Sequence, residues 1–236
     1  MARRRDDHGI EHEPWLRDET TGDEAEGTDP WQLAGDEPAL RGAAGVGADF
    51  HSYYLQRRAE TSDASRVVAV TLAALVAGPF AIVGAIGASI GAASFAAILG
   101  VVLFAPVIEE VAKASGAVYL VERHPWVIRR RSTLPLITLL AGLFFAVVEN
   151  VLYLEVYIEE PTTTIVVWRW IAGPLLHGGA AFVSGLGVAR MWERVHVGDG
   201  LPDWSVASPF VIAAIVIHAL YNGTVTVLEL AGFPFA

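Results

Sequence analysis

The chain has no cysteine, which excludes structural disulfides, thiol nucleophiles and cysteine-ligated metals. It has one lysine, Lys113. Charge of either sign is missing from Val67 to Ile108, 42 residues without Asp, Glu, Lys, Arg or His. The opening Met-Ala-Arg-Arg-Arg runs into acids and not into an apolar stretch, so no secretory signal is expected there. Any catalysis falls to Glu, His, Asn, Ser or Thr.

What is abundant is apolar surface. Hydrophobic residues make up 53% of the 236, with 23 glycines, and the mean hydropathy is +0.45. A soluble domain of this length rarely reaches such values, so the chain reads as an all-α integral membrane protein. The net charge of -10 is unevenly spread: 15 of the 26 acidic residues precede Arg66, against 7 basic ones. Residues 1–65 are therefore expected to form a disordered acidic tail, too polar to offset chain entropy by burial. Residues 66–236 are expected to form a polytopic transmembrane domain. No nucleic-acid partner is expected.

A span needs about 20 apolar residues. The uncharged run and its continuation predict spans at about 66–87 and 92–121, divided near the glycines from Gly84 to Gly91. Further spans are expected at about 133–155, 164–190 and 205–229, giving a bundle of five transmembrane helices. The loops with Arg123, Arg129, Arg130 and Arg131, and with Arg190 and Arg194, alternate with an acidic loop at Glu155, Glu159 and Glu160. By the positive-inside rule the N-terminus is cytoplasmic and the C-terminus outside the cell membrane. Trp126, Trp168, Trp170, Trp192 and Trp204 fall near span ends and read as interfacial anchors. Gly87 and Gly91, with Gly185 and Gly187, suit close helix packing within one subunit or between two, so both oligomeric readings stay open.

Against this background the polar residues inside spans stand out. They are Glu109-Glu110-Val111-Ala112-Lys113, then Glu149-Asn150, His177, and His218 with Asn222. Such groups are costly at bilayer depth and ordinarily line a polar cavity with a function. Counted from the cytoplasmic ends at a helical rise of about 1.5 Å per residue, Glu110 lies roughly 18 Å deep, Glu149 roughly 24 Å, and His177 and His218 roughly 20 Å. Four spans thus bring ionisable groups to one layer. Pro106, Pro174 and Pro209 lie near these groups and are expected to kink their helices.

The series Glu109-Glu110-x-x-Lys113, Phe145-x-x-x-Glu149-Asn150, Pro174-Leu-Leu-His177 and His218-x-x-x-Asn222 resembles the PrsW family of intramembrane proteases, relatives of the CAAX prenyl endopeptidases and bacteriocin-processing enzymes. The resemblance covers residues 66 to 229 and not the acidic tail. It implies hydrolysis of a peptide bond of a membrane protein or peptide, in or near the bilayer, with the tandem glutamates, Glu149 and the histidines as essential groups. Where the CAAX enzymes carry His in the second motif this chain carries Glu149, so the prenyl-protein mechanism does not transfer directly.

Amide hydrolysis needs a base for water and donors for the oxyanion. Either Glu109 or Glu110 can be the base, since adjacent helical residues point about 100° apart. Similarity to the CAAX enzymes favours Glu109, with Glu110 and Lys113 shaping its environment, His218 and Asn222 donating to the oxyanion, and Glu149 with His177 orienting water or moving the proton. A Glu and His set also suits a divalent metal such as zinc, although no His-Glu-x-x-His motif is present. Two other classes use buried Glu, His and Lys: a proton-coupled transporter and a non-catalytic membrane scaffold.

Overall fold

The computed structural model describes residues 43–76, 79, 83 and 98–233. All described elements are helical: α1 Ala43–Glu60, α2 Asp63–Leu75, α3 Ala105–Arg123, α4 Thr133–Leu152, α5 Thr163–Val197 and α6 Trp204–Leu230. Wider π turns, Gly100–Phe104 and Tyr153–Tyr157, precede α3 and continue α4, and a 3-10 turn covers Pro125–Val127.

Among the described residues three helices are long and apolar enough to cross a membrane: Thr133–Tyr157, Thr163–Val197 and Trp204–Leu230. They coincide with the last three expected spans, and the chain is a multi-pass membrane protein. The expected total of five rests on two further segments. Of the first, residues 66–76, 79 and 83 are described, whereas the Gly84–Gly91 divide and the Gly87/Gly91 pair lie outside the described residues. The second is helical from Ile98 to Arg123, yet Glu109, Glu110 and Lys113 keep α3 from reading as an ordinary apolar span.

Local signals explain the ends. Ser62 and Thr162 each accept a hydrogen bond from the backbone N–H three residues on, capping α2 and α5. Asp203 caps α6 by accepting from the Ser205 N–H, two residues on. At the other end of α5, Gly198 takes the left-handed conformation (φ 86°) that closes a helix. At 35 residues, α5 is about 52 Å long, more than the hydrocarbon thickness, so its last turns, with Glu193 and Arg194, project beyond it. Pro174 lies within α5 without ending it. Pro106 falls at the second residue of α3, directly after the π turn, and Pro209, like Pro174, lies inside its helix without ending it.

The segment read as a disordered tail requires correction over residues 43–60, which form α1. Its apolar content is low, but Tyr54 is fully buried and its hydroxyl lies 3.0 Å from His196 Nδ1. Arg58 donates to the Tyr54 hydroxyl (2.6 Å) and to the carbonyls of Ile128 (2.8 Å) and Arg129 (3.1 Å). Tertiary partners thus fix a helix whose own sequence offers little reason for one. Two anchors are also reassigned. Trp126 and Trp192 are buried in the core cluster at this end, with Leu120, Val121, Ile128 and Met191, and Trp192 Nε1 donates to the Pro125 carbonyl at 3.0 Å.

α5 is the central element, packed along α4 on one side and α6 on the other, with α3 crossing all three. The packing is close because small residues meet backbone. A Cβ added at Gly142 would overlap the His177 carbonyl, and one at Gly185 would overlap Thr138 and the backbone of Pro135. Gly142→Ala should therefore lower the thermal unfolding midpoint in detergent, a cost of about 1–3 kcal/mol. Gly179→Ala, where an added Cβ meets nothing within 4 Å, should leave it unchanged or raise it.

Candidate active site

The close contact at Gly142 carries α4 against α5 so that Phe145 and Glu149, one and two turns further along, face His177. Phe145 lies 5.1 Å from the His177 ring, centroid to centroid. α3 supplies Glu109, Glu110 and Lys113, and α6 supplies His218. The six ionisable groups, from four helices, form one cluster, buried except for Glu149, which is partly accessible.

Lys113 is at its centre and fully buried. Its ammonium is 2.7 Å from Glu110 Oε1, 2.7 Å from His177 Nδ1 and 3.6 Å from Glu109 Oε2, and it stands over the Phe145 ring at 4.3 Å. A buried cation is tolerable only when paired, and here it answers two adjacent carboxylates.

The tautomers follow from the donors. An ammonium has no lone pair, so His177 Nδ1 accepts from Lys113, and its proton is on Nε2, which donates to Glu149 Oε2 at 2.8 Å. His218 Nδ1 donates to Glu110 Oε1 at 2.8 Å, leaving the Nε2 lone pair 3.8 Å from Glu109 Oε2. His177 Nδ1 is 3.9 Å from the same oxygen. Each imidazole therefore has a carboxylate on its outer nitrogen and turns its other nitrogen inward, that of His177 accepting from Lys113 and that of His218 left free. Glu109 Oε2, toward which both turn, is buried and makes no hydrogen bond among the described residues.

One ligand atom each from Glu109, His177 and His218 lies within 4.8 Å of the other two. Two imidazoles and a carboxylate are a donor set that zinc accepts with a position left open. Carboxylates on the far nitrogens are the outer-shell partners that hold metal-binding histidines in orientation. The residues fit a metal, with one competitor: the lone pair of His177 Nδ1 is the one Lys113 now occupies.

A cavity of about 220 Å³ opens beside the cluster. Glu109, Glu149 and His177 line it, whereas Glu110, Lys113 and His218 stand behind them. Adjacent in sequence, the tandem glutamates thus divide, with Glu109 toward the cavity and Glu110 into the packing. Asn150 and Asn222 also line it, their amides donating to the backbone carbonyls of Arg169 and Val101, each at 2.9 Å. They border the cavity without joining the carboxylate and imidazole cluster.

Sequence reasoning missed Arg169, Tyr153 and Tyr221, all in the lining. Arg169 is 3.9 Å from Glu149 Oε2 and stacks on Tyr153 at 3.7 Å. The signal was present, since Arg169 is a charged residue inside an expected span, but between Trp168 and Trp170 it passes for part of an interfacial belt.

Residues 64–235 match the family model described as PrsW family intramembrane metalloprotease. Neither the curated proteins nor the solved structures give a match.

Removing the ammonium strands two buried carboxylates. Lys113→Met should cost about 3–5 kcal/mol, read by unfolding in detergent. Lys113→Met combined with Glu110→Leu should recover part of that loss, because the second change removes one of the two charges left unpaired.

Proposed function

We propose, since the chain belongs to the PrsW family of intramembrane metalloproteases, that it hydrolyses a peptide bond of a membrane protein or peptide in the cavity beside Glu109, using a divalent ion, zinc by its donor set. The observation that carries the reading is the convergence of His177 Nδ1 and His218 Nε2 on Glu109 Oε2, a buried oxygen that accepts no hydrogen bond among the described residues. Glu109, His177 and His218 would hold the ion. When bound, it would supply Lewis acidity to the scissile carbonyl and to water.

The chain's own residues do the rest. Glu149 orients His177 through Nε2 and borders the cavity, so it can receive the proton from the attacking water and return it to the leaving amine. Glu110 and Lys113 do not reach the cavity; they hold His218 and the tandem carboxylates in place. His218 is accordingly assigned to metal binding and not to the oxyanion, because its Nδ1 is spent on Glu110 and the ring lies behind Glu109. The Asn222 amide and the Arg169 guanidinium, both in the lining, can donate to a developing oxyanion.

The 123–131 turn and the end of α5 meet, with Arg131 3.3 Å from Glu193. The arginine-rich connections therefore share one end, which supports a cytoplasmic position for them and an outside position for the C-terminus.

A second reading has its own observation. Lys113 hydrogen-bonded to His177 Nδ1 supports a metal-free enzyme in which Glu109 is the base, the ammonium standing where an ion would. Chelation separates the two. On protein reconstituted with single-span peptides, stripping the metal should abolish cleavage and zinc should restore it. Cleavage surviving the chelator selects the metal-free reading. In the metal reading Glu109→Gln, His177→Ala and His218→Ala lose bound zinc, whereas Glu149→Gln keeps it and lowers kcat by about 10²–10⁴-fold.

A further inference from the structure

A second cavity shares no lining residue with the first. It is open, about 450 Å³, and is lined by Arg58, Arg66, Arg129, Thr61, Leu55 and Ala59. Three guanidiniums face one space. Like charges so gathered repel, and backbone carbonyls hold them in position. Arg66, itself buried, donates to the carbonyls of Trp126 (2.9 Å), Arg58 (2.5 Å) and Thr61 (2.9 Å). Arg58 is held in turn by the carbonyls of Ile128 and Arg129. Among the described residues one carboxylate, Asp63, pairs with this set, bonded to Arg129 and 3.8 Å from Arg66. The cavity keeps a net positive charge.

Neutral acceptors that fix cations around an open space leave their charge for an anion, and guanidinium is the side chain best matched to phosphate. The surroundings say which phosphate. Immediately after Arg66, α2 turns Val67, Val68 and Leu72 outward, at 65, 57 and 63% exposure, and Leu55 on α1 is exposed beside the cavity. In a membrane protein these apolar faces meet acyl chains. The cavity therefore opens where hydrocarbon gives way to headgroup.

We propose that Arg58, Arg66 and Arg129 form a site for the phosphate of an anionic phospholipid, its acyl chains lying along the exposed face of α2. A zwitterionic headgroup fits less well, because its ammonium would enter the field of three guanidiniums. Bound there, the lipid ties α1, α2 and the 125–131 turn to the bilayer surface. The site is independent of the peptidase reading.

The test titrates full-length protein in neutral detergent with phosphatidylglycerol, phosphatidylcholine or inorganic phosphate, reading bound lipid by native mass spectrometry and the unfolding midpoint. Phosphatidylglycerol should bind more tightly than phosphatidylcholine and raise the midpoint. Arg129→Gln should weaken that binding about fivefold. Arg130→Gln removes the same charge one residue outside the lining and should leave binding unchanged. Leu55→Glu keeps every guanidinium contact, adds a carboxylate at the rim and should weaken binding as well. Equal binding of both lipids, equal loss in Arg129→Gln and Arg130→Gln, unaltered binding in Leu55→Glu, or stabilisation by inorganic phosphate alone would each overturn the proposal.

Discussion

The site depends on one ammonium. Glu109 and Glu110 are consecutive and buried, and two carboxylates so close in a low dielectric resist joint ionisation unless a cation stands between them and their surroundings. Lys113 fills that place from one turn along the same helix, reaching Glu110 at 2.7 Å and Glu109 at 3.6 Å. It also crosses to α5 through His177. The one lysine in the chain is thus both the counter-ion of the tandem glutamates and a tie between α3 and α5.

From that centre the polar groups are ordered in relays. Glu110 holds His218, and Glu149 holds His177, each at 2.8 Å. Because an outer carboxylate fixes each ring, the inner nitrogens have little freedom and both address Glu109 Oε2. Glycines 142 and 185 make this affordable in space, letting α4 approach α5 closely enough for Glu149 to reach His177. Packing and chemistry are coupled here: a displacement of α4 that relieves a steric clash also withdraws the Glu149 carboxylate.

The polar layer was legible in the sequence because buried charge is rare enough in an apolar run to be noticed one residue at a time. Helical rise put Glu110, Glu149, His177 and His218 at similar depths, and the structure joins them by hydrogen bonds. The last three spans were legible for the same reason, from length and hydropathy. What depends on rotation about a helix axis was not. Glu109 and Glu110 differ by about 100°, and only the packing of α3 against its neighbours turns Glu109 to the cavity and Glu110 inward. Nor was α1 legible, since Tyr54 and Arg58 find their partners 70 or more residues away in sequence, at His196, Ile128 and Arg129. Trp126 and Trp192 were misjudged because an indole near a span end can face the interface or the core, and composition does not distinguish them.

In the metal reading, imidazoles of α5 and α6 and a carboxylate of α3 meet at one ion. X-ray absorption at the zinc edge, on detergent-solubilised protein carrying one equivalent of zinc, tests it most directly. The zinc should show two imidazole nitrogens with the remaining ligands oxygen, at about 2.0–2.2 Å. A shell of oxygen alone, or one with a single imidazole, would contradict it.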